Sequence, residues 1–371
     1  MPNIKRGMMG AAGGSGAAGN NLYVWGDGGG GRLGLGDGVS RSSPVQLGDS
    51  EWTMASATST NSFAIKSDDS LFAVGGYNLS GTLGDGTVVH RSSPVQIGSL
   101  SWAWVNGGGN TASGVTADSK LYTWGDNAQG ELGHGTVVNA SVPVQVGSLT
   151  TWLRSHVGSD HIVALKTDGT IWSWGNGYYG ALGHGNALDV SSPVQIGSVD
   201  TWADVQGGAN FTAALKDDGT LWTTGYNGGR GQLGHGNTTT LSSLTQVGSL
   251  TTWAKISVGA NHTIAITTAG TMFGWGSGGN GTLGDGNNVN RSSPVQIGSL
   301  TTWSKLFLGF GNDTPHAIKT DGTLWGWGRN SEGGIGNATR VAYSSPVQVG
   351  SETDWLSGSS SGSGAFGIRE A

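Results

Sequence analysis

Apolar and polar positions alternate in short bursts along this chain, and the bursts recur. Residues 253–298, WAKISVGANHTIAITTAGTMFGWGSGGNGTLGDGNNVNRSSPVQIG, contain one full cycle. Within it WAKISVG, HTIAIT and TMFGWG each alternate with a period of two, the signature of a half-buried β-strand. SPVQIG is expected as a fourth short strand that starts at its proline, where a missing N–H is tolerable. Asp168-Gly169, Asp218-Gly219 and Asp321-Gly322 fall between the second and third strands of their cycles. They predict two-residue hairpin turns with both central φ angles positive.

The cycle repeats along the whole chain. The SPVQ proline recurs as Pro44, Pro94, Pro143, Pro193, Pro294 and Pro346, with Leu244 in its place once. A tryptophan follows each copy: Trp52, Trp102, Trp152, Trp202, Trp253, Trp303 and Trp355. Glycines end an aromatic strand at Gly26, Gly75, Gly125, Gly175, Gly225, Gly276 and Gly328. The spacing within each series is 49 to 52 residues. Four strands in about fifty residues match one blade of a propeller. Aromatic pairs two residues apart, such as Trp172 with Trp174 and Trp325 with Trp327, share one strand face and are expected to fill the space between blades.

The fold expected is therefore all-β, a seven-bladed β-propeller of four-stranded blades. Six blades cover about 52–98, 99–148, 149–198, 199–248, 249–298 and 299–350. The seventh combines 351–371 with 21–51, so the two termini share a blade and leave no open sheet edge. Residues 1–20 are read as a flexible Gly/Ala-rich arm preceding a single propeller over 21–371.

Composition narrows the function. Glycine accounts for 71 of 371 residues and charged residues for only 11%, yet 16 tryptophans argue for a packed core rather than disorder. The net charge of −6 and the lack of any basic tract speak against nucleic-acid binding. With no cysteine, disulfides and thiolate metal sites are excluded. No apolar run is long enough for a membrane span, and the arm's Gly, Ala and Met are too weakly apolar for a signal peptide.

Catalytic motifs are missing as well. There is no His-Glu-x-x-His, Gly-x-Ser-x-Gly or Walker loop, and GGGGRLG at 28–34 lacks the Lys-Ser/Thr ending of a phosphate loop. No catalytic residue, cofactor or metal is expected. The informative variation lies in the LG(D/H)G turn. Asp85 accompanies Arg91, and Asp285 accompanies Arg291, whereas His134, His184 and His235 accompany Ala140, Val190 and Leu241. An Asp–Arg pair across the loop is expected, with His replacing it in three consecutive blades. Their separation around a ring argues against a shared zinc ion. Tyr178 and Tyr179, with Tyr77 and Tyr226 in similar loops, are candidate contacts to a partner.

LYTWGDNAQGELGHG (121–135) and HIVALKTDGTIWSWGNG (161–177) resemble the RCC1-like propeller repeat over about residues 21–371. The resemblance implies a seven-bladed ring used mostly for protein recognition. The best-known member is an exchange factor for a small GTPase that docks on chromatin. This chain has neither a basic N-terminal tail nor an inserted wedge, so the exchange function does not carry over. Bacterial relatives include an inhibitor that clamps a lactamase with one face. MPNIKRGMMGAAGG is in turn similar to the beginnings of structural proteins of tailed phages, particularly cyanophages.

The expected function is thus a non-enzymatic interaction protein of a phage virion, decorating a capsid or forming part of a tail or fibre. The arm, through Ile4, Lys5, Arg6, Met8 and Met9, would anchor it to capsid or tail proteins, while the ring would meet a host surface. The alternative is a bacterial RCC1-like binding module or enzyme inhibitor, cytoplasmic or extracellular.

Overall fold

The computed structural model describes residues 20–371 except Ser50, Leu308, Phe310, Asn312 and Ser363. The anchoring residues assigned above, Ile4 to Met9, lie outside the described residues. Seven four-stranded antiparallel sheets account for the strands. In the first blade the order from the axis outward is Trp52–Ala57, Asn61–Lys66, Leu71–Gly75 and Arg91–Gln96. Blades two to six begin at Trp102, Trp152, Trp202, Trp253 and Trp303. The tryptophan-led strands of successive blades adjoin one another and form the innermost ring.

The seventh blade joins the termini. Its two inner strands are Trp355–Ser360 and Gly364–Arg369, and its two outer strands are Asn21–Gly26 and Arg41–Gln46. Leu22 lies opposite Ile368 and Val24 opposite Phe366, and all four are buried. Elsewhere a hairpin carbonyl, such as Gly169 O, accepts the N–H of the next blade's first tryptophan. Here the Asn20 carbonyl does so for Trp52 at 3.0 Å, replacing the hairpin that the seventh blade lacks.

Each sheet has two kinds of end. The turn after the first strand and the long loop after the third emerge on one face of the ring. The hairpin between second and third strands and the link to the next blade emerge on the opposite face. Because Asn21–Gly26 is a third strand, Asn20 lies at the hairpin face.

The packing follows from the aromatic pattern. Trp152 makes edge-on contacts with Trp172 and Trp174 at 6.1 and 6.2 Å, and Trp102 contacts Tyr122 and Trp124 at 5.6 and 5.8 Å. The Trp174 indole donates to Glu131 O of the preceding blade at 2.7 Å, so these rings do fill the space between blades. Gly133 shows what this packing demands. Its φ is +72°, and a Cβ there would sit 2.7 Å from Trp174 Nε1.

Three local readings are corrected. The Asp-Gly hairpins are three-residue loops: Lys166 N donates to Thr170 O and Gly169 N to Lys166 O, each at 3.0 Å, and among Thr167, Asp168 and Gly169 only the glycine has positive φ. That is a type I turn followed by a glycine bulge. Asp168 Oδ1 accepts from Thr170 N and Oγ1 at 2.9 and 2.7 Å, which ties the turn together. The fourth strand does not start at the proline: Arg91–Gln96 begins three residues earlier and holds Pro94 inside an edge strand. Closure therefore leaves an outer edge on every blade, blunted in most by that proline.

The inner edges are managed differently. In five of the seams a side chain of one blade accepts the exposed N–H of the next. Ser359 Oγ accepts from Ala57, Ser56 Oγ from Gly107, Asn106 Oδ1 from Val157, His156 Nδ1 from Gly207 and Gln206 Oε1 from Val258, at 2.7–3.3 Å. Side chains, rather than a fifth strand, satisfy the edge facing the lumen.

Candidate functional site: the long-loop face

The long loops come in two designs. In blades one, two, four and six an asparagine is buried at the loop base. Asn127 Nδ2 donates to Thr136 O and Val138 O, both at 3.0 Å, and its Oδ1 accepts from Leu132 N at 2.8 Å. In blades three, five and seven that position is Gly177, Gly278 or Gly28. The loop closes directly on it: a Cβ on Gly177 would lie 1.9 Å from Leu188 O. Both designs turn the same carbonyl inward, and the side chain of that residue is left facing solvent. Val39, Val89, Val138, Leu188, Val289 and Val341 are consequently 55–70% exposed.

The covariation of Asp with Arg has a direct cause. Asp85 Oδ2 and Asp285 Oδ2 each lie 2.7 Å from the guanidinium of Arg91 and Arg291, across the loop as expected. In the three histidine blades, His134, His184 and His235 fold back onto hydroxyls of the third strand. Their Nε2 atoms lie 2.9–3.0 Å from Thr123, Ser173 and Thr223. The Asp/Arg blades have Ala73 and Gly274 at that strand position. The hydroxyl is a third covarying position that the sequence reading missed, although it is visible in the aligned repeats. Burial lowers the pKa of all three imidazoles. Each histidine is bonded within its own blade, and the structure does not bring the three together. Among the described residues no three His, Asp or Glu side chains converge as a metal site requires.

Three of the four candidate tyrosines do meet. Tyr178 and Tyr179 have ring centroids 4.0 Å apart, and Tyr179 and Tyr226 are 4.4 Å apart. The result is a platform of three rings spanning the long loops of blades three and four. Tyr77, in the loop of the first blade, is not part of it. Its backbone carbonyl accepts from Asn61 Nδ2 at 2.7 Å. Tyr179 has φ +63°, while Gly30 and Asn280 fill the matching position of the other short 3₁₀ turns at +67° and +58°. Glycine and asparagine tolerate this conformation, but a bulky side chain costs about 1–2 kcal/mol there. The outermost ring, Tyr178, is 59% exposed.

The third-blade loop is tied to the turn after the first strand of its own blade. Asn176, which accepts the Tyr178 N–H, donates its own N–H to the carbonyl of Asp160. Burial raises the pKa of Asp160 and of Glu131, and the nearby Asp126 adds to both effects. The three rings offer aromatic surface suited to gripping a side chain or a cationic group. It contains no nucleophile paired with a base.

Known proteins agree with this architecture. The sequence model of the RCC1-like domain matches residues 17–314. Prp20p from Saccharomyces cerevisiae, described with its binding properties to Gsp1p and histones, superposes with a TM-score of 0.85 at 17% identity. That match covers 100% of this chain and 95% of Prp20p. Yeast RCC1 (Prp20) in its complex with Kap60 gives 0.83 at 17% identity, over 96% of this chain and 90% of that one. Human WBSCR16 gives 0.83 at 18%, over 95% and 99%. At such identities the superpositions speak for the fold alone. No curated protein matches the chain. The seven blades, their shared closing sheet and the matched repeat make this chain a member of the RCC1-like domain family.

Proposed function

We propose that this chain is a non-enzymatic recognition propeller that grips a protein partner on its long-loop face, with Tyr178, Tyr179 and Tyr226 at the centre of the contact. The observation that carries the reading is Tyr179. A bulky residue held at φ +63° beside an exposed neighbour is a cost that the blade itself does not require, since Gly30 and Asn280 serve elsewhere. Strain of this kind collects at functional sites. Tyrosine also supplies large, rigid contact area at interfaces.

The partner assembly in this reading is a phage particle, with residues 1–19 as the tether. A division of labour is consistent with Asn20 lying at the hairpin face and the tyrosines on the other. A tethered ring would point its long loops away from the particle. The decisive experiment is co-purification of the full chain and of a chain lacking residues 1–19 with virions of the encoding phage. Incorporation of the first and loss of the second supports the reading, and equal recovery of both refutes the tether. The second reading, a bacterial RCC1-like module that inhibits a soluble enzyme, is favoured by the membership in a family of binding propellers. It predicts a stable complex with an enzyme and indifference to removal of the arm.

A further inference from the structure

The lumen carries a charge pattern that the long-loop face does not use. Two residues after the leading tryptophan, at one register of the innermost ring, four consecutive blades hold Arg154, Asp204, Lys255 and Lys305. The same register across the ring holds Met54 and Trp104. Arg154 and Asp204 satisfy each other at 3.0 Å, and Gln206 Nε2 adds a hydrogen bond to Asp204 at 3.2 Å. Lys305 reaches the neighbouring blade, where its Nζ donates to Leu356 O.

What distinguishes Lys255 and Lys305 is how the other lysines are treated. Lys66, Lys166, Lys216 and Lys319 lie over tryptophan rings, and Lys120 pairs with Asp118 at 2.7 Å. Among the described residues neither Lys255 nor Lys305 has a carboxylate within 4 Å or a ring beneath it. The acid that acts on Lys255, Asp204, is already engaged by Arg154. Burial lowers the pKa of both ammonium groups, and the Lys255 charge lowers that of Lys305 further. Lys255 and Lys305 thus stand at matching positions of adjacent innermost strands, near enough for their like charges to act on each other, in a chain whose net charge is −6. An entering anion would turn that repulsion into attraction in a partly desolvated place, where charge interactions are stronger than in open water.

We propose that the hairpin-face mouth of the lumen is a binding site for a compact oxyanion, a phosphate or a carboxylate, held by the ammonium groups of Lys255 and Lys305. The site lies at the opposite end of the ring from the tyrosine platform and is independent of it. The ligand is a small polyanion, because Trp104 and Met54 occupy the far wall and leave the charges on one side.

The test uses the full chain at pH 7. Melting is followed in orthophosphate, in citrate and in sodium chloride at matched ionic strength, with isothermal titration of the same anions. The expected result is a rise in Tm of a few degrees, on the order of that produced by ligand at tenfold its Kd, with one oxyanion and not with chloride. A response to orthophosphate alone assigns the site to phosphate, and a response to citrate alone assigns it to carboxylates. Lys255→Gln/Lys305→Gln should lose that rise while melting at or above the native temperature without ligand. Should the double variant fail to fold, Lys305→Gln, at the more exposed of the two positions, carries the same comparison. An oxyanion effect no larger than that of chloride, or an equal rise in the variant, overturns the proposal.

Discussion

Tyr179 is the residue whose conformation and exposure are hardest to reconcile with folding alone. Replacing it with glycine removes the cost of the left-handed backbone, about 1–2 kcal/mol, and forfeits ring contacts with Tyr178 and Tyr226 worth ~0.5–1.5 kcal/mol each. Tyr179→Gly should therefore melt within a few degrees of the native chain while losing partner binding. A large drop in Tm with binding intact would make the platform structural. The buried histidines set the pH behaviour at the same scale. His156, His161 and His316 are held neutral with pKa values of about 4, and His262 of about 3, all chiefly through desolvation. Above the unfolded value of 6.5 they do not favour either state. As pH falls below it, the unfolded chain binds protons that the folded chain refuses, and stability is lost down to about pH 4. The loss should be on the order of 1 kcal/mol per histidine at pH 5.5. Glu131, Asp160 and Asp313, whose pKa burial raises, take up protons more readily in the fold and oppose this at lower pH. Melting curves between pH 7.5 and 5 check the sign.

At the scale of the element, the blade was readable because its information is local. Alternation with period two marks three strands, and the fixed phase of Trp, Gly and Pro marks the unit. The hairpin type was misread because a glycine at that place suits more than one turn: the same three-residue loop forms at Thr268-Ala269-Gly270, where no aspartate stands, and again only the glycine has positive φ. The long loops show a similar limit. Their two designs differ at a single residue, Asn127 or its equivalents against Gly177 or its equivalents, and the consequence emerges only when the carbonyls of Val138 and Leu188 are seen turned inward. Asn127→Ala should leave the Thr136 and Val138 carbonyls and the Leu132 N–H without this partner, at about 1–3 kcal/mol. Hydrogen exchange should then rise in the second-blade loop before the rest of the ring. Uniform protection across residues 126–139 would contradict this role.

For the whole molecule, the lumen was the least legible part. Arg154, Asp204, Lys255 and Lys305 stand about fifty residues apart, and only the packing of successive blades makes them neighbours. The signal was present as four charged residues two places after the tryptophan, but its meaning depends on which strand is innermost. Closure itself was legible from the half-units at each end. Deleting residues 360–371 removes Gly364–Arg369, which pairs on both sides within the seventh blade. Phe366 and Ile368 alone contribute roughly 1.5–3 kcal/mol each through burial. The truncated chain should melt well below the full one, and an unchanged Tm would show that six blades suffice. The shared blade also orders events during synthesis. Asn21–Gly26 is among the earliest strands to leave the ribosome, yet its inner partner is among the last translated. While blades one to six assemble behind it, its backbone edge stays unpaired and open to other nascent chains. Neighbouring ribosomes on one message thus carry matching half-blades, and a strand from one chain can complete the seventh sheet of another. The feature that seals the finished ring therefore makes crowded translation the stage at which this protein is most exposed to forming swapped dimers.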